Sequence, residues 1–268
     1  MTDALVNPLF YLAAIPAVLL TGLSKGGFGG AFGFASVPIL ALVISPVQAA
    51  GVMLPILVLS DMVAVLSYWR TFDKSLVLHI LPSAILGTGA GWATASLVSD
   101  DVVRLVVGLI AFAFLGRIWI LDWRHRRRVK RESGPAQPPA QGRSTIGALV
   151  WGTLTGYTSF IAHAGGPPYQ AYVMPMRLAP LRYASTSAIF FAVLNLVKVV
   201  PYAALGQFDR ENLLIAAVLA PVTIGSTYLG VRVAKLLDER LFYRVLTVSV
   251  LVVSSKLVYD GLVDLLAN

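Results

Sequence analysis

Apolar residues run in long unbroken stretches along this chain, and polar residues collect in the short gaps between them, which is neither the alternation of a strand nor the one-faced stripe of a surface helix. Six stretches, about 49–69, 76–98, 102–123, 183–204, 212–233 and 241–265, are long enough to be full helices across a bilayer. Roughly 20 residues at 1.5 Å each cover the ~30 Å of hydrocarbon. Shorter apolar segments, about 8–24 with 31–45 and 146–162 with 168–178, flank two glycine-rich interruptions, Lys25-Gly-Gly-Phe-Gly-Gly30 and His163-Ala-Gly-Gly-Pro-Pro168. These short segments barely cross the hydrocarbon or stop within it, so each pair is expected as a thin helix pair or a re-entrant hairpin. The pattern predicts an all-α polytopic membrane protein.

Composition agrees, with 57% hydrophobic and 13% charged residues. Leu105–Leu121 and Ala184–Leu205 each carry one charged group, Arg117 and Lys198. The absence of cysteine excludes disulfides, thiolate catalysis and Cys-based metal sites. His79, His125 and His163 lie far apart in the chain, so no metal site and no cofactor is expected. Asp3 is the only charge before Lys25, so Pro8–Thr21 reads as a retained first helix and not as a cleaved signal peptide. Seven of the 21 Lys and Arg residues fall between Arg124 and Arg143. Directly after a hydrophobic helix and before a Pro/Gly/Gln spacer, this run is expected as a cytoplasmic linker obeying the positive-inside rule and not as a nucleic-acid site, with contact to anionic lipid left open.

The two interruptions belong to a duplication. Displaced by 134 residues, Gly22, Pro46, Asp61 and Tyr68 fall on Gly156, Pro180, Asn195 and Tyr202. Displaced by 139, Pro82, Gly91, Ala95, Leu97 and Arg117 fall on Pro221, Gly230, Ala234, Leu236 and Lys256, with Phe72-Asp73 and Phe208-Asp209 marking the turn between the blocks. The expected organisation is a first repeat over 1–123, the basic linker over 124–144 and a second repeat over 145–268. Arg70 and Lys74 would share the cytoplasmic face with the linker, as would Arg177, Arg182, Lys235, Arg240 and Arg244 of the second half. Ser99-Asp-Asp101 and the uncharged Ser45–Gln48 turn would face outward. Corresponding loops then lie on opposite faces, the inverted-topology architecture of many secondary transporters, and both breaks would converge near the midplane.

Non-helical backbone at that depth survives only where protein or a water-filled cavity satisfies its amides, and a helix start there favours an anion. The candidate lining is Ser24, Lys25, Gly26, Gly27, Gly29 and Gly30 from the first break and His163, Gly165 and Gly166 from the second. Glycines four apart also serve close helix packing, which is the reading preferred for Gly87, Gly91 and Ala95 and for Ser226, Gly230 and Ala234. Buried ionisable groups are costly and mark function. Asp61, with Asn195 as its repeat partner and Lys198 one turn beyond, suggests either a buried Asp61–Lys198 pair or a Lys198 that faces substrate while Asp61 takes a proton. Lys25 either lines the site or snorkels to the interface. His163 is either a structural ring or, with Asp61, a coupling candidate. Arg117 reads as an interfacial anchor, with Lys256 deeper.

Taken together, GLSKGGFGGAFGFASVPIL, GYTSFIAHAGGPPYQAYVMP and FFAVLNLVKVVPYAALGQF give the chain, over nearly its whole length, a resemblance to the TauE/SafE family of sulfite exporters. That resemblance implies transport of a small sulfur-containing anion such as sulfite, a sulfonate or a sulfoacetate-like metabolite, outward across the bacterial cytoplasmic (inner) membrane. It also implies a site lined by Ser24–Gly30 and Ala162–Pro168 with Asn195 and Lys198 on the adjacent helix. The expected mechanism is a secondary carrier working by alternating access, with a proton or cation as coupling partner and a homodimer left open. The alternatives are an anion channel on the same fold, or a carrier for another oxyanion such as thiosulfate or sulfate. No P-loop or HExxH occurs, so no enzyme is expected.

Overall fold

The computed structural model describes residues 7–31, 33–95 and 142–267, with positions 109 and 116. The expected helix over 102–123, including Arg117, and the linker as far as residue 141 lie outside the described residues, as does the Lys256 side chain. Nine α-helices follow in order among the described residues: α1 (Pro8–Gly27), α2 (Ser36–Leu40), α3 (Pro46–Tyr68), α4 (Lys74–Thr94), α5 (Thr145–Ala162), α6 (Gly166–Val173), α7 (Pro180–Ala204), α8 (Arg210–Leu236) and α9 (Glu239–Ala267). Five of them, α1, α3, α4, α7 and α8, are long and apolar enough to cross a membrane. No strand occurs among the described residues.

Local chemistry sets the helix starts. Asn7, Ser45, Asp73, Ser144 and Asp209 each accept the backbone N–H that opens α1, α3, α4, α5 and α8, at 2.8–3.2 Å. Proline occupies the first turn of α1, α3, α6 and α7, where no N–H is needed. The segments around the breaks are less equal than their apolar lengths suggest. At 20 residues α1 is about 30 Å long and can cross, whereas α2 and α6, with 5 and 8 residues, are only about 8 and 12 Å. Each break therefore joins a long helix to a stub that cannot cross.

The helices are inside-out relative to a water-soluble bundle. Leu12, Leu66, Leu86 and Val200 are exposed, while Ser24, Ser60, Thr155, Ser185, Thr227 and Lys198 are fully buried. Lipid takes the apolar faces and protein satisfies the polar ones. Packing between the halves is reciprocal: α1 lies chiefly along α8, α5 along α4, and α3 and α7 lie against each other. Small residues permit this approach. A Cβ on Gly26 would stand 2.0 Å from the Thr227 carbonyl oxygen and one on Gly156 would stand 1.8 Å from that of Ala84. Gly87 presses on Thr153 at 2.0 Å by the same measure, and Gly230 on Leu23 at 2.6 Å.

Two clusters occupy opposite ends of α3. At its C-terminal end, Asp73 receives Arg143 at 2.6 Å and Arg182 at 2.9 Å, so the turn after α3, the end of the basic linker and the start of α7 lie together. At its N-terminal end, Gln48 reaches Glu211 at 3.4 Å, and the turn containing Gln207 lies beside Gly51.

Gly26→Ala and Gly156→Ala should each cost about 1–3 kcal/mol by forcing packed helices apart. Gly89→Ala and Gly225→Ala, whose added methyl meets no atom within 4 Å, should leave thermal unfolding of the purified protein unchanged or slightly later. Equal behaviour of the two sets would contradict close packing at Gly26 and Gly156.

Candidate functional site

Both breaks use one backbone solution, at positions 134 residues apart. In α1 the Gly30 N–H returns to the Ser24 carbonyl at 3.1 Å, and in α5 the Ala164 N–H returns to the Thr158 carbonyl at 3.0 Å. The residue before each donor is left-handed: Gly29 at φ 61° and His163 at φ 50°. This is the six-residue return that closes a helix C-terminus. Glycine adopts it freely, but a histidine there is uncommon and needs its surroundings to hold it. A tyrosine supports each last turn, again at that offset. Tyr68 donates to the Gly26 carbonyl at 2.6 Å and Tyr202 to the Phe160 carbonyl at 3.1 Å.

Two helix C-termini thus meet inside the protein, not the helix starts expected from the sequence. Among the described residues only α6 brings an N-terminus there, since the first half resumes through a 3-10 turn over Gly33–Ala35. Carbonyl ends of helices call for cations, and two lysines answer. Lys25 lies in the last turn of α1. The Lys198 ammonium, fully buried on α7, donates to the Ser159 carbonyl at 3.0 Å and hydroxyl at 3.1 Å in the last turn of α5.

Lys25 neither snorkels nor stands alone. It is 5% exposed and paired with Asp61 of α3 at 2.8 Å, its ammonium 4.7 Å from the centre of the Phe191 ring. The other Asp61 oxygen accepts the Asn195 amide of α7 at 2.5 Å. The Asp61–Lys198 pair entertained from sequence is therefore replaced by Asp61–Lys25. No carboxylate lies within ion-pair distance of Lys198 among the described residues.

Lys198 instead reaches His163 Nδ1 at 3.1 Å. With Lys198 an ammonium, Nδ1 must accept, so the ring proton sits on Nε2 and points to the Ala50 carbonyl at 3.2 Å. Tyr202 approaches Nε2 at 3.3 Å and gives its own proton to Phe160. In this arrangement His163 is neutral, and its lone pair helps hold Lys198.

A small, open-mouthed cavity lies among these groups. Its wall contains Lys25, Gly30, His163, Gly166, Asn195 and Lys198 from the expected residues, joined by Gly33, Leu57, Ser159 and Phe191. Asp61 stands behind Lys25 and Asn195, outside the wall. Gly26 and Gly27 face Thr227 and Gly230 of α8, Gly29 faces Ser187 and Tyr183, and Gly165 faces Ser159 and Thr155. Ser24 serves through its carbonyl, which closes α1. Ser159 could have been found from the sequence, since it lies 134 residues after Lys25; Phe191 matches Leu57, an apolar position that carries no chemical signal. No group of three or more metal-ligating side chains occurs among the described residues.

The chemistry on offer is an open-mouthed pocket with amide, hydroxyl and, with Lys25 and Lys198 protonated, ammonium donors; the Ser159 hydroxyl then meets an ammonium and not a base, an arrangement suited to holding a small anion. A search of curated proteins found no match to this chain, and a search of solved structures found none. The model of the sulfite exporter TauE/SafE family matches residues 14–257, nearly the whole chain. Multiple apolar helices, paired breaks and that match lead to one identification: the chain belongs to the sulfite exporter TauE/SafE family of membrane transporters.

Proposed function

We propose that this protein is a secondary carrier that moves a small sulfur-containing anion, sulfite or a sulfonate, outward across a bacterial cytoplasmic membrane by alternating access. The anion occupies the cavity between the two breaks. One observation carries this reading: Lys198 is a fully buried cation on the cavity wall with neutral partners, Ser159 and His163. An unpaired charge buried in lipid-embedded protein is expensive and is retained where a ligand of opposite sign completes it.

We read the halves as inverted repeats about an axis between α3 and α7. The contact of Asp61 with Asn195, residues matched by the 134-residue offset, supports an axis at that point, because a residue touches its own counterpart only there. The matched turns after α3 and α7 lie at opposite ends of α3, in support of opposite orientations. The basic linker and the Arg143–Asp73–Arg182 cluster mark the cytoplasmic face in this reading. Alternating access would then rock α1 with α8 and α5 with α4 about the central pair.

Proteoliposomes carrying the protein should take up sulfite saturably and show counterflow, with labelled sulfite accumulating against unlabelled sulfite inside. Uptake without saturation or counterflow would point to a channel. Lys198→Ala should weaken apparent sulfite affinity roughly tenfold to a hundredfold, the loss of a charge-assisted contact of about 1.5–3 kcal/mol. Unchanged affinity would remove Lys198 from the site.

A further inference from the structure

Four ionisable side chains set the charge of the cavity: with Lys198 an ammonium, Lys25 and Lys198 count as cationic, Asp61 as anionic and His163 as neutral. The sum is one positive charge. A monoanion brings the occupied site to neutrality, whereas a dianion leaves one uncompensated negative charge in a medium that screens it poorly. Asp61 stands where that excess can be cancelled, because Lys25 and Asn195 separate it from the cavity by a single layer of side chains.

We infer that Asp61 makes the carrier's charge fit its cargo: a monoanion binds without a proton, and a dianion binds together with one proton taken from solution onto the Asp61 carboxylate. The inference rests on the anion-carrier reading and gives it a stoichiometry. The balance closes, since a site of charge +1, a dianion and a proton give a neutral complex with no other reactant.

Asn195 makes the switch feasible. A carboxylate accepts two hydrogen bonds here, from the Lys25 ammonium and the Asn195 amide N–H. Once protonated, one carboxyl oxygen becomes a donor and needs an acceptor. Asn195 can supply one by turning its amide over so that its oxygen faces Asp61, which a lysine or arginine in its place could not do. Protonation also releases Lys25 from ion pairing, leaving its full charge for the anion on the cavity side. The groups facing Asp61 are Lys25 from α1 and Asn195 from α7, with Lys198 one turn further along α7. From α8, Thr227 meets the neighbouring Ser60 at 2.6 Å and brings no charge. The α2 stub, Ser36–Leu40, contains no ionisable residue.

The test is calorimetric titration of sulfite into the purified full-length protein, in alkaline buffers of differing ionisation enthalpy, where sulfite is itself a dianion. The expected result is one proton taken up per sulfite bound by the wild type, and none by Asp61→Asn. A wild type that binds sulfite without proton uptake overturns the inference, as does an Asp61→Asn protein that still takes one up. If Asp61→Asn does not fold, infrared difference spectra of the wild type decide: a protonated carboxyl band must appear when sulfite is added, and its absence overturns the inference. A wild type that binds no sulfite instead overturns the carrier reading beneath it.

Discussion

The ion pair between Lys25 and Asp61, buried among the helices behind and along the cavity wall, is the interaction on which the candidate site depends. It ties the last turn of α1 to α3, and Asn195 extends it to α7, so three helices and the first break are registered by one carboxylate. Removing water from two charges costs more than their attraction returns unless geometry is good and remaining hydrogen-bonding positions are filled. Here both carboxylate oxygens are filled, and the ammonium also lies against an aromatic face. Such a pair is weak evidence of stability gained, but it is strong evidence that something at this depth requires charge.

Near-symmetry explains where that charge sits. The backbone closures, the supporting tyrosines and the packing of α1 on α8 and α5 on α4 all recur, and these are matters of shape. Chemistry appears where matched positions differ. Lys25 corresponds to Ser159, Asp61 to Asn195, Ala64 to Lys198 and Gly29 to His163. Every one of these substitutions places its charged or polar member in or directly behind the cavity. An architecture of two similar halves supplies the hollow, and the differences between them make it electropositive.

Much of the fold could be read from the chain because the bilayer imposes a length: stretches such as Ala184–Leu205 have no other stable fate than a spanning helix. The break positions were equally legible, since consecutive glycines and Pro167-Pro168 cannot continue a helix. Partners were not. Lys25 has one sequence and two environments, a lipid interface or a buried carboxylate, and only the packing of α1 against α3 decides between them. The glycine signature was ambiguous for a similar reason. Gly26 and Gly27 allow α8 to approach, while Gly30, three residues on, opens onto the cavity. Helix polarity at the breaks was only partly legible because a Gly-rich interruption marks an end and a beginning alike: the pocket receives two C-termini and, at the second break, the N-terminus of α6.

The most direct test of this account is a double-mutant cycle on the central pair, read as unfolding of the purified protein in detergent for Lys25→Met, Asp61→Asn and the two combined. Each single change strands a buried charge and should cost about 3–5 kcal/mol. The combined change strands neither and should recover much of that loss, giving a large favourable coupling energy. Costs that simply add would mean that Lys25 and Asp61 do not depend on each other inside the protein, and would contradict the account.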